Sequence, residues 1–205
     1  MYESSFTILE TPIGLIVPIW VNEPQFYLLR ICIIDSTASI EHLFDELQLI
    51  GFDSDKLHHE QFLHGFMHEN KQESVKSLFN RYFIFSEIGH RYIEQLKKSI
   101  ELFFSSKIDI QFSPDLLCLD DFSEFTRSVL LSLKKIPFGQ TLSYGRLAEL
   151  SGHPKAYRAV GSVMNKNPFP LIIPCHRVIR SNGNIGEFAL GKDMKDCLLK
   201  HESSN

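Results

Sequence analysis

A cysteine followed directly by a histidine and an arginine, at Cys175, His176 and Arg177, is the feature of this chain most suited to chemistry. A thiol is a nucleophile only as the thiolate, and a free cysteine with a pKa of about 8.5 is mostly protonated at neutral pH. An adjacent imidazole and guanidinium supply a positive environment, so the triplet predicts an activated nucleophile. Pro174 restricts the backbone before the sulfur and favours a fixed presentation. The alternative is a small buried hydrophobic cysteine without chemistry.

The elements that must position this cysteine are helical. Apolar spacing predicts helices over residues 122–136, 143–150, 154–165 and 192–201. The second and third are short and are separated by Ser151, Gly152 and His153, which predicts a helix-turn-helix. Because this motif serves to place a helix against DNA, the sequence joins a reactive thiol to a DNA-reading element.

Charge is divided unevenly along the chain. Residues 1–126 carry 9 Lys and Arg against 20 Asp and Glu, whereas residues 127–200 carry 12 against 4. Clustered basic residues neutralise DNA phosphates, and they lie in the same part of the chain as the cysteine and the helix-turn-helix. A solvated basic face without a partner is the alternative. The net charge of −4 therefore does not exclude a DNA-binding protein.

Length and composition indicate an ordinary globular protein. The 205 residues are 43% apolar, which is enough for the core of one domain or of two small ones. The longest apolar runs, such as residues 13–21, are short and interrupted by Pro18, and no basic region leads into an apolar segment at the N-terminus. Neither secretion nor membrane spanning is indicated, and we expect a cytoplasmic protein, or a nuclear one in a eukaryote.

The cysteines and histidines do not form a recognisable metal motif. The four cysteines stand far apart, at Cys32, Cys118, Cys175 and Cys197. Without a CxxC spacing they argue against both a disulfide framework and a four-cysteine zinc site. His64 and His68 are four residues apart and could share a metal, but the glutamate of an HExxH motif is missing. We expect no metal and no cofactor.

The N-terminal part of the chain is rich in branched and aromatic residues. These predict strands over residues 6–9, 15–20, 26–34 and 108–112. Residues 90–104 have the spacing of an amphipathic helix, and shorter helical patterns in residues 40–84 have no assigned role.

The predicted fold class is α+β. We expect a small N-terminal sheet-plus-helix domain over residues 1–115, with a structural role, and a mostly helical C-terminal domain over residues 116–205 that contains the helix-turn-helix. Residues 113–121, which include Pro114 and several acidic residues, are the expected linker.

Six segments, in one order and spacing, resemble the catalytic domain of the O6-alkylguanine-DNA alkyltransferases, also called methylated-DNA-protein-cysteine methyltransferases. They are PFGQTLSY at 137–144, KAYRAVG at 155–161, NP at 167–168, IIPCHRVI at 172–179, Gly183, and LLKHE at 198–202. The close match covers about a third of the chain. It implies DNA repair by direct, irreversible transfer of an alkyl group, chiefly methyl, from O6 of guanine to Cys175, so that each molecule reacts once.

The resemblance also implies the catalytic residues. Cys175 is the acceptor, His176 draws the thiol proton through a water, and Glu202 orients the imidazole. Asn167 ties the DNA-binding helix to the cysteine loop, and the Tyr144 hydroxyl approaches the extruded base and helps to protonate or stabilise it. Taken singly, these residues have plainer alternatives: a core or surface histidine, a charge near the end of the sequence, an ordinary Asn-Pro turn and a buried tyrosine.

Contacts to DNA are implied for the second helix of the helix-turn-helix. Arg158 matches the family's arginine finger, which fills the place of a nucleotide rotated out of the stack. Tyr144 crowds the target phosphate. The small residues around the finger allow close approach to the minor groove; they are Ala156, Ala159, Gly161 and Ser162. They could equally serve tight helix packing. Tyr157 is larger than the pattern, and we expect it to face the protein.

A loop near the C-terminus departs from the family pattern. The implied substrate pocket contains Phe188, Ala189 and Leu190 together with Val178. Phe188 stands where the family usually has a tyrosine, and Leu190 is bulkier than the usual residue. We therefore expect activity on methyl adducts and a narrower range of bulky adducts.

The implied partner is double-stranded DNA containing O6-alkylguanine, bound by a monomer. One alternative function is a non-catalytic alkyl-damage-binding protein, but the presence of Cys175 argues against it. A helix-turn-helix transcription regulator is the other alternative, for which the sequence offers neither an effector domain nor a metal-responsive cysteine cluster.

Overall fold

The computed structural model describes residues 4–6, 9–21, 25–34 and 87–203. The helical patterns of residues 40–84 and the histidine pair His64 and His68 lie outside the described residues.

An antiparallel sheet forms the N-terminal part. Its four strands are β1 (Ser4–Phe6), β2 (Leu9–Thr11), β3 (Gly14–Val21) and β4 (Tyr27–Ile34). β3 is central, since β4 pairs along one edge while β2 and β1 pair with successive parts of the other. Pro18 falls between the β2 and β1 registers, where its missing N–H breaks neither pairing. The strand expected over residues 6–9 is wrong, because two shorter strands, β1 and β2, occupy this part of the chain.

A long helix, α1 (Glu87–Ser106), follows in the described chain. One face of it is buried in the core, as its apolar spacing predicts; that face comprises Ile93, Leu96, Ile100 and Phe103. The strand expected over residues 108–112 is wrong, because this segment belongs to no strand. Instead, the Gln111 N–H donates to Ser99 Oγ of α1 at 2.6 Å. A side chain of the preceding helix satisfies the backbone there in place of a neighbouring strand.

The expected linker is packed against the sheet. A 3₁₀ turn over Pro114–Leu116 begins it, and Leu117 then forms an isolated bridge to Leu28 of β4. The Cys118 N–H donates to the Leu28 carbonyl at 2.9 Å. These contacts fix the point at which the chain enters its helical part.

The C-terminal part contains four helices and a two-stranded parallel ladder. The helices are α2 (Glu124–Leu133), α3 (Tyr144–Leu150), α4 (Tyr157–Asn165) and α5 (Lys192–Ser203). The ladder joins β5 (Leu142–Ser143) to β6 (Val178–Ile179). The helix expected from residue 154 begins at Tyr157 instead, because Lys155 has a φ of 76°, outside the helical region.

One contiguous apolar core extends through both parts of the chain. It includes Trp20 of the sheet, Phe103 of α1, Leu130 of α2 and Leu198 of α5. None of the described helices is long and apolar enough to cross a membrane. The α+β architecture places the sheet beside the helical part, where it can contribute to a site built there.

Candidate active site

Cys175 begins a short turn that is connected, through a two-stranded ladder, to the helix-turn-helix. A 3₁₀ turn, Cys175–Arg177, leads directly into β6, and β6 pairs with β5. Since β5 ends at the residue before α3, this pairing connects the cysteine to the helix-turn-helix. The short ladder was not predicted, because two-residue strands carry no periodic signal.

Asn167 holds the loop around the thiol. Its Nδ2 donates to the Ile173 carbonyl at 2.8 Å and lies 3.1 Å from Cys175 Sγ. Its Oδ1 accepts the Phe169 N–H at 3.0 Å. The β4 strand supports the same loop, because the Ile31 N–H donates to the Pro168 carbonyl at 2.7 Å. The asparagine therefore fixes both the backbone before the cysteine and the sulfur itself.

The thiol is deeply buried, with 4% of Cys175 exposed. Burial raises its pKa, and this outweighs the opposing effects of the Asn167 hydrogen bond and the Lys195 charge. The thiol is therefore protonated at rest near neutral pH. Nucleophilic attack then requires a base that removes the proton.

His176 is placed to be that base. Its ring is completely buried, and Nε2 lies 2.8 Å from Glu202 Oε1. A carboxylate can only accept, so the proton of the neutral ring sits on Nε2 and Nδ1 keeps a lone pair. Among the described residues no group hydrogen-bonds Nδ1. Burial lowers the His176 pKa, against the hydrogen bond and charge of Glu202, so the neutral, proton-accepting form predominates at rest.

Glu202 remains ionised in spite of its burial. Burial alone would raise its pKa, but hydrogen bonds and charges from His176 and Arg177 outweigh that effect and lower the pKa to about 2. The carboxylate also accepts the Gly139 N–H at 3.0 Å. A permanently charged acceptor thus orients the imidazole and stabilises it when it becomes protonated.

Arg177 does not provide the positive environment expected for the thiol. Its guanidinium is directed to Glu202, to the Ile136 carbonyl at 2.6 Å and to Asp109 at 2.6 Å. The expectation was wrong because consecutive residues of a 3₁₀ turn project in different directions.

The cation that acts on the thiol is Lys195, which was not predicted. It is fully buried, its Nζ donates to the Val178 carbonyl at 2.7 Å, and burial lowers its pKa to about 8. Nζ also lies 5.9 Å from the ring centroids of both Tyr144 and Phe188. The signal was present in α5, where Lys195 shares the buried helix face with Leu198 and Glu202.

The thiol lines a cavity of about 390 Å³. Phe188, Ala189 and Leu190 form part of its wall, and residues 30–33 of β4 form another part. The N-terminal sheet therefore shapes the space beside the nucleophile. Val178, expected in the pocket, is not among the residues that line this cavity; it is fully buried in β6, where it pairs with Leu142.

A second, more open cavity of about 690 Å³ lies on the helix-turn-helix face and is lined in part by Tyr144, Arg158, Gly161 and Arg180. Tyr144 is half-buried, and burial followed by the Cys175 charge raises the pKa of its hydroxyl, so the hydroxyl is protonated at neutral pH. A methyl group added at Gly161 would lie 3.9 Å from the Tyr144 ring. Tyr144 therefore lines the outer groove, and its hydroxyl lies within electrostatic range of the thiol.

Of the DNA-contact candidates, Tyr144, Arg158 and Gly161 line the outer groove, whereas Ala156 and Ala159 do not. Arg158 and Ala159 are exposed, and Ala156 and Gly161 are partly buried. Contrary to the expectation, Tyr157 does not face the protein: it is 49% exposed and lines the groove. The Arg158 guanidinium carbon lies 5.7 Å from the centroid of its ring. It projects outward because it begins α4, whose buried face starts at Val160.

The other cysteines have different surroundings. Cys32 is buried, Cys118 is partly buried and Cys197 is exposed, and none of these cysteines forms a disulfide bond within the described residues. Cys32 shares the inner cavity with Cys175. Within the described ranges, no group of three or more His, Cys, Asp or Glu side chains is placed to hold a metal ion.

Comparison with known proteins gives the same family as the sequence motifs. Residues 124–204 match the model of the 6-O-methylguanine DNA methyltransferase DNA-binding domain. The methylated-DNA–protein-cysteine methyltransferase of Methanosarcina acetivorans is 40% identical over 119 residues, covering 57% of this chain and 72% of that protein. The Mus musculus protein of the same name is 55% identical over 80 residues, or 38% of each chain.

Solved structures share the fold over nearly the whole chain. The Mycobacterium tuberculosis O6-methylguanine methyltransferase has a TM-score of 0.59 at 21% identity, covering 98% of this chain and 93% of that one. The O6-methylguanine-DNA methyltransferase of Pyrococcus kodakaraensis has a TM-score of 0.54 at 20% identity, covering 98% and 99%. With this agreement in sequence and fold, the chain belongs to the methylated-DNA–protein-cysteine methyltransferase family.

Proposed function

We propose that Cys175 accepts an alkyl group, chiefly methyl, from O6 of guanine in double-stranded DNA, and that the thioether formed is permanent. Direct repair of DNA by alkyl transfer is the activity of the family to which the chain belongs. The observation that carries the assignment to this residue is a buried thiol at the wall of a cavity, next in the chain to a buried histidine whose Nδ1 is available. Each molecule then reacts once.

The proton and the alkyl group move in opposite directions. The Sγ proton passes through a bridging water to Nδ1 of His176, and Glu202 stabilises the resulting imidazolium. Sulfur then attacks the alkyl carbon, so that the S–C bond forms as the C–O6 bond breaks. The departing guanine carries the electron pair and takes a proton from the Tyr144 hydroxyl. The Tyr144 phenolate then regains a proton from solvent, and the His176 imidazolium releases its proton to solvent. Lys195 opposes the cost of forming a buried thiolate.

The target base must leave the duplex to reach the inner cavity. Rotating a nucleotide out costs roughly a few kcal/mol, which contacts to the distorted DNA have to offset. Arg158 is exposed beside the outer groove and is suited to occupy the vacated place. The small side chains of Ala156, Ala159 and Gly161 allow the helix to approach the minor groove. A structure of the Mycobacterium tuberculosis protein in complex with DNA supports DNA as the partner.

The protein acts as a monomer under this proposal, since one chain supplies every residue of the site. Residues 1–115 form a structural domain that completes the inner cavity, and residues 116–205 carry the chemistry and the DNA contacts. A nucleophilic thiol needs a reducing compartment, so the expected location is the cytoplasm, or the nucleus in a eukaryote.

The proposal is tested by mapping the methyl group after incubation with a duplex containing O6-methylguanine. Peptide mass spectrometry should find a single methyl group on the Cys175 peptide and none in Cys175→Ser. The exposed cysteine offers a matched control, since Cys197→Ser should retain transfer. Methylation at Cys32, Cys118 or Cys197 instead, or undiminished transfer by Cys175→Ser, would refute the assignment. Tight binding of the damaged duplex without transfer would favour a non-catalytic damage-binding protein.

A further inference from the structure

We infer that Asp109 is a positioning residue for alkyl transfer, acting on His176 through the buried pair Arg177 and Glu202. The inference rests on the proposed function, since it concerns the base that activates Cys175. Asp109 lies in the connection between α1 and the 3₁₀ turn at Pro114–Leu116, before the part of the chain that matches the family's DNA-binding domain. It would give the N-terminal part a role in the chemistry itself.

Asp109 makes two contacts, one with each carboxylate oxygen. Oδ1 lies 2.6 Å from Arg177 Nη2, and Oδ2 accepts the Phe138 N–H at 2.9 Å. The side chain is 38% exposed, whereas that of Arg177 is 2% exposed. A carboxylate at the edge of solvent is thus bonded directly to a cation inside the core.

The arginine has no freedom to move without breaking these contacts. Its Nε donates to both Glu202 oxygens at 3.1 and 2.9 Å, and Nη1 donates to the Ile136 carbonyl at 2.6 Å. Nη2 is shared between Asp109 and Glu202 Oε1, which lies at 2.9 Å. A planar guanidinium with a fixed fork transmits the position of one carboxylate to the other.

The two carboxylates also clamp one turn of backbone. Asp109 accepts the amide of Phe138, and Glu202 accepts the next amide, that of Gly139. Gly139 has a φ of 72°, and a side-chain carbon there would lie 3.2 Å from the Glu202 carbonyl. The turn is therefore closely fitted to α5, and Asp109 helps to hold Glu202 in place from both sides.

Asp109 also sets the charge around the histidine. Asp109, Arg177 and Glu202 together carry one more negative than positive charge, which favours a proton on His176. Without the Asp109 charge this excess disappears, while Arg177 and Lys195 still oppose protonation of the imidazole. Lys134 also lies within electrostatic range of Asp109; without Asp109 its pKa falls further, because burial and the Arg177 charge then act unopposed. That change removes positive charge and does not weaken His176 as a base; the weakening follows from the lost Asp109 charge itself.

The test is the pH dependence of single-turnover methyl transfer in Asp109→Asn, a substitution that keeps the shape and removes the charge. We expect the plateau rate to fall by about tenfold and the acid limb to move to lower pH by about half a unit. These changes are modest because the lost charge acts on His176 through two intervening side chains, Arg177 and Glu202. Asp109→Glu should restore the position of the acid limb. The exposed Asp115, bonded to Ser113, offers a control: Asp115→Asn should behave as the wild type.

Two results would overturn the inference. One is a wild-type profile in Asp109→Asn. The other is a lower rate that follows a lower Tm while the acid limb stays in place, which would make Asp109 a residue of the fold alone. Asp109→Ser also lacks the charge and serves if Asp109→Asn does not fold. Methyl mapping on Cys175 is done first, so that failure of the proposed function is distinguished from failure of this inference.

Discussion

The buried cluster around Cys175 and the exposed helix-turn-helix face differ in how strongly their side chains are held by the rest of the protein. In the cluster, Cys175, His176, Arg177 and Glu202 are all buried and hydrogen-bonded, so chemistry and stability depend on the same contacts. On the outer face, Arg158 is exposed and its guanidinium lies over the ring of the exposed Tyr157. Substitutions in the cluster should therefore affect folding and reaction together, whereas those on the face should affect only the engagement of DNA.

The largest effect is expected for Glu202→Gln. Removing the buried partner of this ion pair leaves Arg177 with only the partly exposed Asp109 as a counter-charge, so we expect a loss of about 3 kcal/mol in the free energy of unfolding. Transfer should fall by about a hundredfold or more, since the imidazolium loses its stabilising charge. Chemical denaturation and single-turnover kinetics measure the two effects. Glu149→Gln, at an exposed pair with Arg146, should change neither the stability nor the transfer rate. A destabilised but fully active Glu202→Gln would show that Glu202 supports the fold and not the transfer reaction.

The same carboxylate predicts how stability depends on pH. The folded pKa of Glu202, about 2, is below its ordinary value of 4.5, so the stabilisation is present above about pH 4.5 and is lost as the pH falls through 2. The difference corresponds to about 3 kcal/mol. Denaturation followed between these pH values should show a steep loss in the wild type and a flatter curve in Glu202→Gln. Parallel curves would contradict the low pKa.

An intermediate effect is expected for Arg158→Ala on the outer face. Repair of duplex DNA should fall by about 10- to 100-fold, because Arg158 no longer fills the place that the rotated nucleotide leaves in the duplex. The reaction with free O6-benzylguanine should fall much less, provided that the pocket admits it, because a free base needs no extrusion. Arg146→Ala, at another exposed arginine of the helix-turn-helix, is the control. Equal losses with both substrates would place Arg158 in the fold or the pocket.

The smallest effect is expected at the boundary between the two regions. Leu190 is partly buried and lines the inner cavity together with the thiol. Leu190→Gly should therefore free the space of its side chain, raising the benzyl transfer rate severalfold and changing the methyl rate little. The neighbouring Ala189→Gly removes only one carbon and should change the ratio less. If the benzyl-to-methyl ratio is unchanged in Leu190→Gly, this loop does not limit adduct size.

The sequence indicates a candidate nucleophile and a helix-turn-helix face, but it does not indicate the hydrogen-bonded network behind them. Short motifs name Cys175, His176 and Arg158 by type and spacing, and the helical periods around them are regular. The direction of Arg177 was not predictable, because it depends on Asp109, which is 68 residues earlier in the chain. The buried role of Lys195 could have been inferred from its position on the apolar face of α5.

The N-terminal part shows the same limit. Residues 108–112 alternate like a strand, yet whether an alternating segment pairs depends on which element lies beside it. Here α1 lies beside it and binds its backbone through Ser99. The contribution of β4 to the inner cavity likewise depends on contacts between distant segments, such as the one from Ile31 to Pro168.

The most direct test of a buried, histidine-activated thiol is a titration of Cys175 itself. Thiolate absorbance is followed from acid to alkaline pH in the wild type and in Cys175→Ser, and the difference isolates this one cysteine. Because burial raises its pKa, the thiolate should be absent at neutral pH and should appear only above the range of an ordinary cysteine. A thiolate already present at pH 7 would contradict activation by proton transfer to His176.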